Sequence, residues 1–400
     1  MKKPTFAELL TKYMRRIRAS ERNVAVEIGV TNETVNKWKN GTLPHKNNRD
    51  KVLKCAHFLR LTESETHEFI RAAFPDDKVA EIEKLPNALF SKYISELLHK
   101  LSKLDTPVIL LLAQKNNWDK LPFHNFRKAL LKQAQQKYSQ ANVLYIEPPS
   151  CAGANIDEYF SELAKQCEFK DVKDALDFEL KLKERSKNQE TFLFIFRLDR
   201  CPQLLREQLG GIIRSVLDEM EHSRLHVILW GGEKLAELKF QESESSLLNY
   251  AQIEQWELSR TEVLDLCQYC FPKLQLDEES VNEILKLSGG HPQLLMDCLK
   301  LKQQEPDLDW DEYPKRLSQC DYVWQLFTQF AQDEPAKQQV YQWLQQKCLG
   351  KSQPYIMNNL LRKLYWENLL VERDINGTKQ LCWRCLALRM AGKEILKPQQ

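Results

Sequence analysis

Four short apolar runs constrain this chain most: TPVILLL from Thr106, ANVLYIE from Ala141, TFLFIFRL over residues 191–198 and LHVILWGG over residues 225–232. Each is too short for a helix and lacks polar alternation, as expected of strands buried on both faces. Helical stretches separate them, one running from about Phe123 to Tyr138. Strands alternating with helices predict a mostly parallel sheet with helices on both sides. Residues 259 to about 301 read as helical again. From Pro335 the pattern is a helix, a break at Gly350, and a helix to Glu367. NLLVERDINGTKQLCWRC follows, with Asn376-Gly377 as a two-residue hairpin turn. Helices closed by a terminal hairpin predict a winged helix.

The first 75 or so residues read differently. Phe6, Leu9, Leu10, Tyr13, Met14 and Ile17 fall at helical spacing. Ser20 caps a second helix over residues 21–28, and Gly29 ends it in a left-handed conformation. Thr31 caps a third helix, from Asn32 to about Asn40. Helices over residues 49–60 and through LTESETHEFIRAAFP make five. The expected organisation is a helix-turn-helix domain at 1–76, a linker and helix at 77–105, and an α/β domain at 106–257. A helical lid at 258–325 and a winged helix at 326–400 complete it.

Charge separates the same regions. Residues 1–60 hold 14 Lys and Arg against 5 Asp and Glu, a balance of +9; with a total of +2, the remainder carries −7. A basic end on a mildly acidic body suggests that a polyanion is met there. In the third helix Val35 and Trp38 point to a small core with Val24 and Ile28, and Ala25 lets the two helices approach. Asn32, Glu33, Asn36, Lys37 and Asn40 then face outward, with Thr34 beside them. Amide, carboxylate and ammonium tips on a helix laid in a major groove read base edges.

This stretch, NVAVEIGVTNETVNKWKNGTLP, resembles the Cro/phage-repressor (XRE-type) helix-turn-helix family over residues 6–74. The resemblance implies double-stranded DNA as a partner. It puts Asn32, Glu33 and Lys37 at base-reading positions and Asn40 at a phosphate contact. Glu21 stands where the family often has glutamine, with Arg22 as a substitute phosphate contact. One such domain makes few phosphate contacts and binds weakly. A homo-oligomer or a protein partner is therefore expected.

The remainder resembles the AAA+/STAND class of P-loop ATPases. EILKLSGGHPQLLMDCLKL carries the strongest cue, with Gly290 and Pro292 in a Gly-x-Pro element that in STAND proteins approaches the nucleotide. QWELSRTEVLDLCQ and LHVILWGGEKL resemble the opening of the lid and the sensor strand before it. The nucleotide chemistry of that class needs a Gly-x-x-x-x-Gly-Lys-Ser/Thr loop after the first strand. After PVILLL comes AQKNNWDKLPFHNF, without glycine; after NVLYIE comes PPSCAGANIDEYF, with one glycine and no lysine. Phe196 and Arg197 stand where the metal-binding acids belong, and Asp199 comes two residues late; in another register Asp199 is the aspartate, followed by Arg200. The expectation is a degenerate domain with no catalytic residue, no bound cofactor and no enzymatic activity. Asp199, Gly290 and Pro292 are remnants. The alternatives are a domain that binds ATP or ADP and switches DNA binding, or an adaptor in a signalling or defence module.

Gly350-Lys351-Ser352 follows a helix rather than a buried strand and reads as a loop. Two Cys-x-x-Cys pairs, Cys267/Cys270 and Cys382/Cys385, lie over a hundred residues apart, and small apolar fillers explain them better than a metal. The 11 cysteines lack a disulfide framework and predict reduced thiols in cytoplasm. No apolar run reaches the ~18–20 residues of a membrane span. The function these features predict is a cytoplasmic, sequence-specific DNA-binding transcriptional regulator. Its body would serve assembly or partner sensing.

Overall fold

A computed structural model describes residues 4–17, 19–45, 48–59, 61, 63–74, 90–112, 124–139, 142–148, 155–198, 201–219, 224–232, 235, 239, 251–352 and 358–398. The chain divides into two compact units, Met1–Leu85 and Pro86–Gln400.

The first unit is all helical: α1 (Phe6–Arg16), α2 (Glu21–Ile28), α3 (Asn32–Lys39), α4 (Arg49–Phe58) and α5 (Glu63–Ala73). Thr5 and Glu8 form a reciprocal capping box that starts α1. Phe6, Leu9, Leu10, Tyr13 and Met14 then lie on its buried face. They pack with Val24, Ile28, Val35, Trp38 and Phe69 into one core. Phe6 joins the helices, its ring 4.7 Å from Phe69 and 6.0 Å from Trp38 between centroids.

The second unit opens with α6 (Ser91–Leu101), β1 (Val108–Leu112), α7 (His124–Tyr138), β2 (Val143–Ile146), α8 (Ile156–Gln166) and α9 (Ala175–Asn188). β3 (Thr191–Ile195), α10 (Gln203–Asp218), β4 (Leu225–Gly231) and β5 (Gln252–Gln255) follow. The five strands form a parallel sheet in the order β2-β3-β4-β1-β5. Every residue of β1, β3 and β4 is buried, which is why these strands read as unbroken apolar runs. The step from β1 to β2 runs opposite to the later steps, so the right-handed crossover rule puts α7 on the opposite face from α8 to α10. Phe126, Trp230 and Trp256 fill the core between α7 and the sheet, with centroids 4.6 to 5.4 Å apart. This is a parallel α/β sheet flanked by helices. β5, half-buried and polar at three of its four positions, is a strand that the apolar runs do not predict.

Beyond the sheet come α11 (Arg260–Cys270), α12 (Glu278–Ser288), α13 (Pro292–Gln304), α14 (Tyr313–Ser318), α15 (Asp321–Ala331) and α16 (Glu334–Leu344). Then follow β6 (Cys348–Lys351), α17 (Asn359–Trp366), β7 (Leu370–Ile375), β8 (Thr378–Trp383) and α18 (Leu386–Ile395). The last three strands form an antiparallel sheet in the order β6-β8-β7. Asn376 and Gly377 take the left-handed conformation at the β7–β8 turn, at φ 53° and 74°.

Two expectations need correction here. Gly350 and Lys351 lie in strand β6 rather than in a loop, and Ser352 is buried, its N–H donating to the Lys379 carbonyl at 3.0 Å. The cysteines are not all reduced, because Cys348 and Cys382 form a disulfide across β6 and β8. Strand register brings these two side chains together, and sequence spacing alone did not show it. No helix among the described residues is long and apolar enough to cross a membrane.

Candidate nucleic-acid interface

The α2–α3 pair is built by local chemistry. Ser20 and Asn23 cap α2 reciprocally. Gly29 ends the helix at φ 67°, and the Val30 N–H closes the turn on the Ala25 carbonyl at 3.0 Å. Thr31 starts α3, its hydroxyl accepting from the Thr34 N–H at 3.3 Å. Ala25, only 3% exposed, leaves room for the close crossing. Lys39 and Glu21 join the two helices through an ion pair of 2.5 Å.

α3 presents two distinct faces. Val35 and Trp38 are buried, while Asn32, Glu33, Asn36, Lys37 and Asn40 are exposed and Thr34 is half-buried. Most of their tips pair locally. Lys37 pairs with Glu33 at 2.8 Å, and the Asn40 side-chain amide donates to the Asn36 side-chain oxygen Oδ1 at 2.5 Å. The hydrogen bond from Lys37 holds the Glu33 carboxyl below its usual pKa. Thr34 shares its hydroxyl with Thr31 at 2.9 Å. Arg22 is exposed on α2.

Sequence reading missed a groove beside this face. Thr11, Met14, Arg15, Ala19, Ser20 and Lys39 enclose an open space of about 480 Å³ between α1, α2 and α3. It joins the start of α2 to two cations. The available signal was Arg15 in the last turn of α1, a basic residue on an exposed position.

In the second unit the expected motif remnants separate. Asp199 lies outside the described residues, as do 113–123 and 149–154, which hold most of the two stretches compared with a phosphate loop. At the end of β3 the Phe196 N–H donates to the Ile146 carbonyl at 2.8 Å, and Arg197 turns at φ 60°. Arg197 is buried against Glu147, which follows β2, at 3.5 Å. Arg127 approaches the same carboxylate at 3.6 Å and donates to the Tyr145 hydroxyl at 2.7 Å. A buried carboxylate therefore stands at the carboxyl edge of the sheet, on the strand next to the one expected. It is flanked by two guanidinium groups.

Gly290 and Pro292 stay together at the start of α13. His291 caps that helix, its Nδ1 accepting from the Leu294 N–H at 3.3 Å. Arg384, 5% exposed, reaches this turn from the end of β8 and donates to the Gly289 carbonyl at 2.9 Å. It also donates to the Asn368 carbonyl at 3.0 Å and to the Asn368 side-chain oxygen at 2.5 Å. The Leu258 N–H donates to the Gly290 carbonyl at 2.9 Å. The end of β5, the α12–α13 turn and the hairpin thus meet at Arg384, which no sequence pattern singles out. Among the described residues no group of three or more His, Cys, Asp and Glu side chains is placed to hold a metal ion.

No family model matches the chain, and no curated protein matches it in sequence. Solved structures do. A Walker-type ATPase of Pyrococcus abyssi is 15% identical, with 77% of this chain and 96% of that one aligned at a TM-score of 0.43. The ORC2 protein of Aeropyrum pernix, in ADPNP–ADP complexes, is 14% identical over 80% and 94% at a TM-score of 0.35. Cdc6p from Pyrobaculum aerophilum is 14% identical over 80% and 98% at 0.35. The expectation that the chain is not an enzyme is withdrawn on this finding, because the first of these is described as a Walker-type ATPase.

Proposed function

We propose that this protein is a duplex-DNA-binding regulator whose first unit carries a helix-turn-helix, with α3 entering the major groove. The observation that carries the reading is the two-faced α3. Val35 and Trp38 anchor it, and Asn32, Glu33, Asn36, Lys37 and Asn40 stand exposed in one basic unit. Asn suits adenine, Lys suits guanine and Glu accepts from cytosine. Arg22, Arg15 and Lys39 would meet phosphates beside the start of α2, where the helix dipole adds its own attraction.

One such unit neutralises few phosphates, so affinity at physiological salt calls for more than one copy on the duplex. The second unit would supply that assembly or sense a partner. The test is fluorescence anisotropy of the full chain on a pool of duplexes at two salt concentrations. Binding that weakens steeply with salt is expected, and Asn32→Ala should relax the sequence preference, broadening the set of duplexes bound equally well. No salt-dependent affinity for any duplex would refute the proposal.

A second reading, in which a nucleotide controls this binding, draws on the strand order. Succession reverses at β1, and ligands of open parallel sheets sit beyond the carboxyl ends at such a point. Mass spectrometry of nucleotide retained after purification, together with an ATP turnover assay, decides between a nucleotide-free and a nucleotide-dependent body.

A further inference from the structure

We propose that Cys348 and Cys382 form a redox-responsive clasp, closing β6 onto the hairpin when oxidised and releasing it when reduced. The two residues stand opposite each other in the antiparallel register of β6 and β8, and they are bonded. β6 has four residues and lies at the edge of its sheet. Its register with β8 shifts between Cys348 and Lys351. The flanking backbone bonds are Trp383 N–H to Lys347 carbonyl, 3.1 Å, and Ser352 N–H to Lys379 carbonyl, 3.0 Å. A short, irregular edge strand gains little from its ladder, so the covalent bond is a large part of what holds it. The bond closes a separation of 34 residues that includes α17 and β7. Closing such a loop restricts the unfolded chain and stabilises the folded one.

Two observations favour a switch over a permanent staple. The eight other described cysteines are free thiols. Burial pushes Cys55 and Cys167 up to about 12 and Cys385 up to about 11, which keeps them protonated and inert. One disulfide beside eight free thiols among the described residues fits reducing surroundings, where such bonds are transient and sense redox state. Cys348 is also only half-buried, on an edge strand. The step balances with a low-molecular-weight disulfide of the glutathione type. One protein thiolate attacks it and expels one thiol, and the second protein thiolate then displaces the other. Two electrons and two protons pass to the small disulfide, and the S–S bond forms between Cys348 and Cys382.

The clasp lies close to the junction of the second unit. Arg373, on the partner strand β7, pairs with Glu257 at 2.8 Å, and Arg384 follows β8 by one residue. Releasing β6 would loosen α16 and α17 on either side of it while these contacts still hold the hairpin.

The test uses the full chain equilibrated in glutathione buffers of graded ratio, with thiols trapped by alkylation and peptides mapped by mass spectrometry. The expected result is a single bond, between residues 348 and 382, with a midpoint inside the buffer range. Oxidised protein should melt about 5 °C or more above reduced protein. Cys348→Ser and Cys382→Ser should melt with the reduced protein and ignore the buffer. Should either variant fail to fold, the wild-type chain in the two extreme buffers still decides. The proposal fails if Cys382 pairs with Cys385, if the bond never forms, if it survives the most reducing buffer under native conditions, or if both states melt alike.

Discussion

Two glycine turns in this molecule share a conformation and differ in everything around them. Gly29, between α2 and α3, sits at φ 67°, and Gly289 and Gly290, before α13, sit at 57° and 69°. A Cβ added at Gly29 meets nothing within 4 Å. A Cβ at Gly289 would lie 2.4 Å from the Arg384 carbonyl oxygen, and one at Gly290 would lie 2.5 Å from Glu257 Cγ and 2.8 Å from the Leu258 carbonyl oxygen. The first turn needs glycine only for its backbone. It leaves the faces of both helices open to a partner, as an interface requires. The second needs glycine for backbone and for space, since the end of β5 and the end of β8 close directly upon it.

The largest effects expected from that contrast are at Gly289 and Gly290. Gly290→Ala combines a left-handed alanine with a clash against backbone atoms that cannot rotate away. It should lower the unfolding free energy by about 3 kcal/mol. Gly289→Ala should match or exceed it, and urea denaturation followed by tryptophan fluorescence is the measurement. If Gly290→Ala were tolerated as easily as Gly29→Ala, the two turns would be equivalent and the junction at Arg384 loose.

A pH dependence tests the same junction. Burial, with the Arg384 charge second, pushes His291 down to about 3. An unfolded chain takes up this proton near pH 6.5. Between those values the unfolded state binds a proton that the folded state refuses. Stability is therefore full above about pH 6.5 and declines as pH falls toward 3. The expected loss from pH 7 to pH 5 is about 2 kcal/mol. His291→Asn retains a capping side chain and removes the titration, so its stability should vary less over this range. An unchanged slope in that variant would place the acid sensitivity elsewhere.

At Gly29 the expectation is smaller. Gly29→Ala meets open space, so only the left-handed backbone counts, about 1 kcal/mol. A loss as large as that at Gly290 would mean that the α2–α3 turn is packed rather than free.

What the sequence made legible follows the same division. Elements ruled by local chemistry could be read directly. Gly29 and Thr31 bound α2 and α3, Asn376-Gly377 turns the last hairpin, and the apolar runs are β1 to β4. Elements that depend on distant neighbours could not. β5 reads Gln-Ile-Glu-Gln and among the described strands pairs with β1 alone, so it offers no apolar run. β6 carries Gly350 and owes its strand form to β8. The Cys348–Cys382 bond depends on that register, and the roles of Arg384, Glu147 and Arg127 depend on elements up to 129 residues away. Polar side chains buried by tertiary contact leave no periodic trace in a sequence. The outward row of α3 was legible because a helix with one buried face fixes the other.

The smallest stability effect is expected on that row, and it sharpens the contrast most. Lys37 and Glu33 pair at the surface, 62% and 76% exposed, where solvent screens the attraction. Lys37→Ala should leave the urea midpoint unchanged within error. On DNA the same change should remove one phosphate or base contact, weaken binding about tenfold and reduce the salt slope by about 1 if the contact is to phosphate. Base contact predicts instead a loss confined to particular sequences, with the slope preserved. A variant that destabilises the unit yet binds DNA normally would assign Lys37 to the fold. The open face of α3 would then have no established partner, and the contrast between the two turns would rest on packing alone.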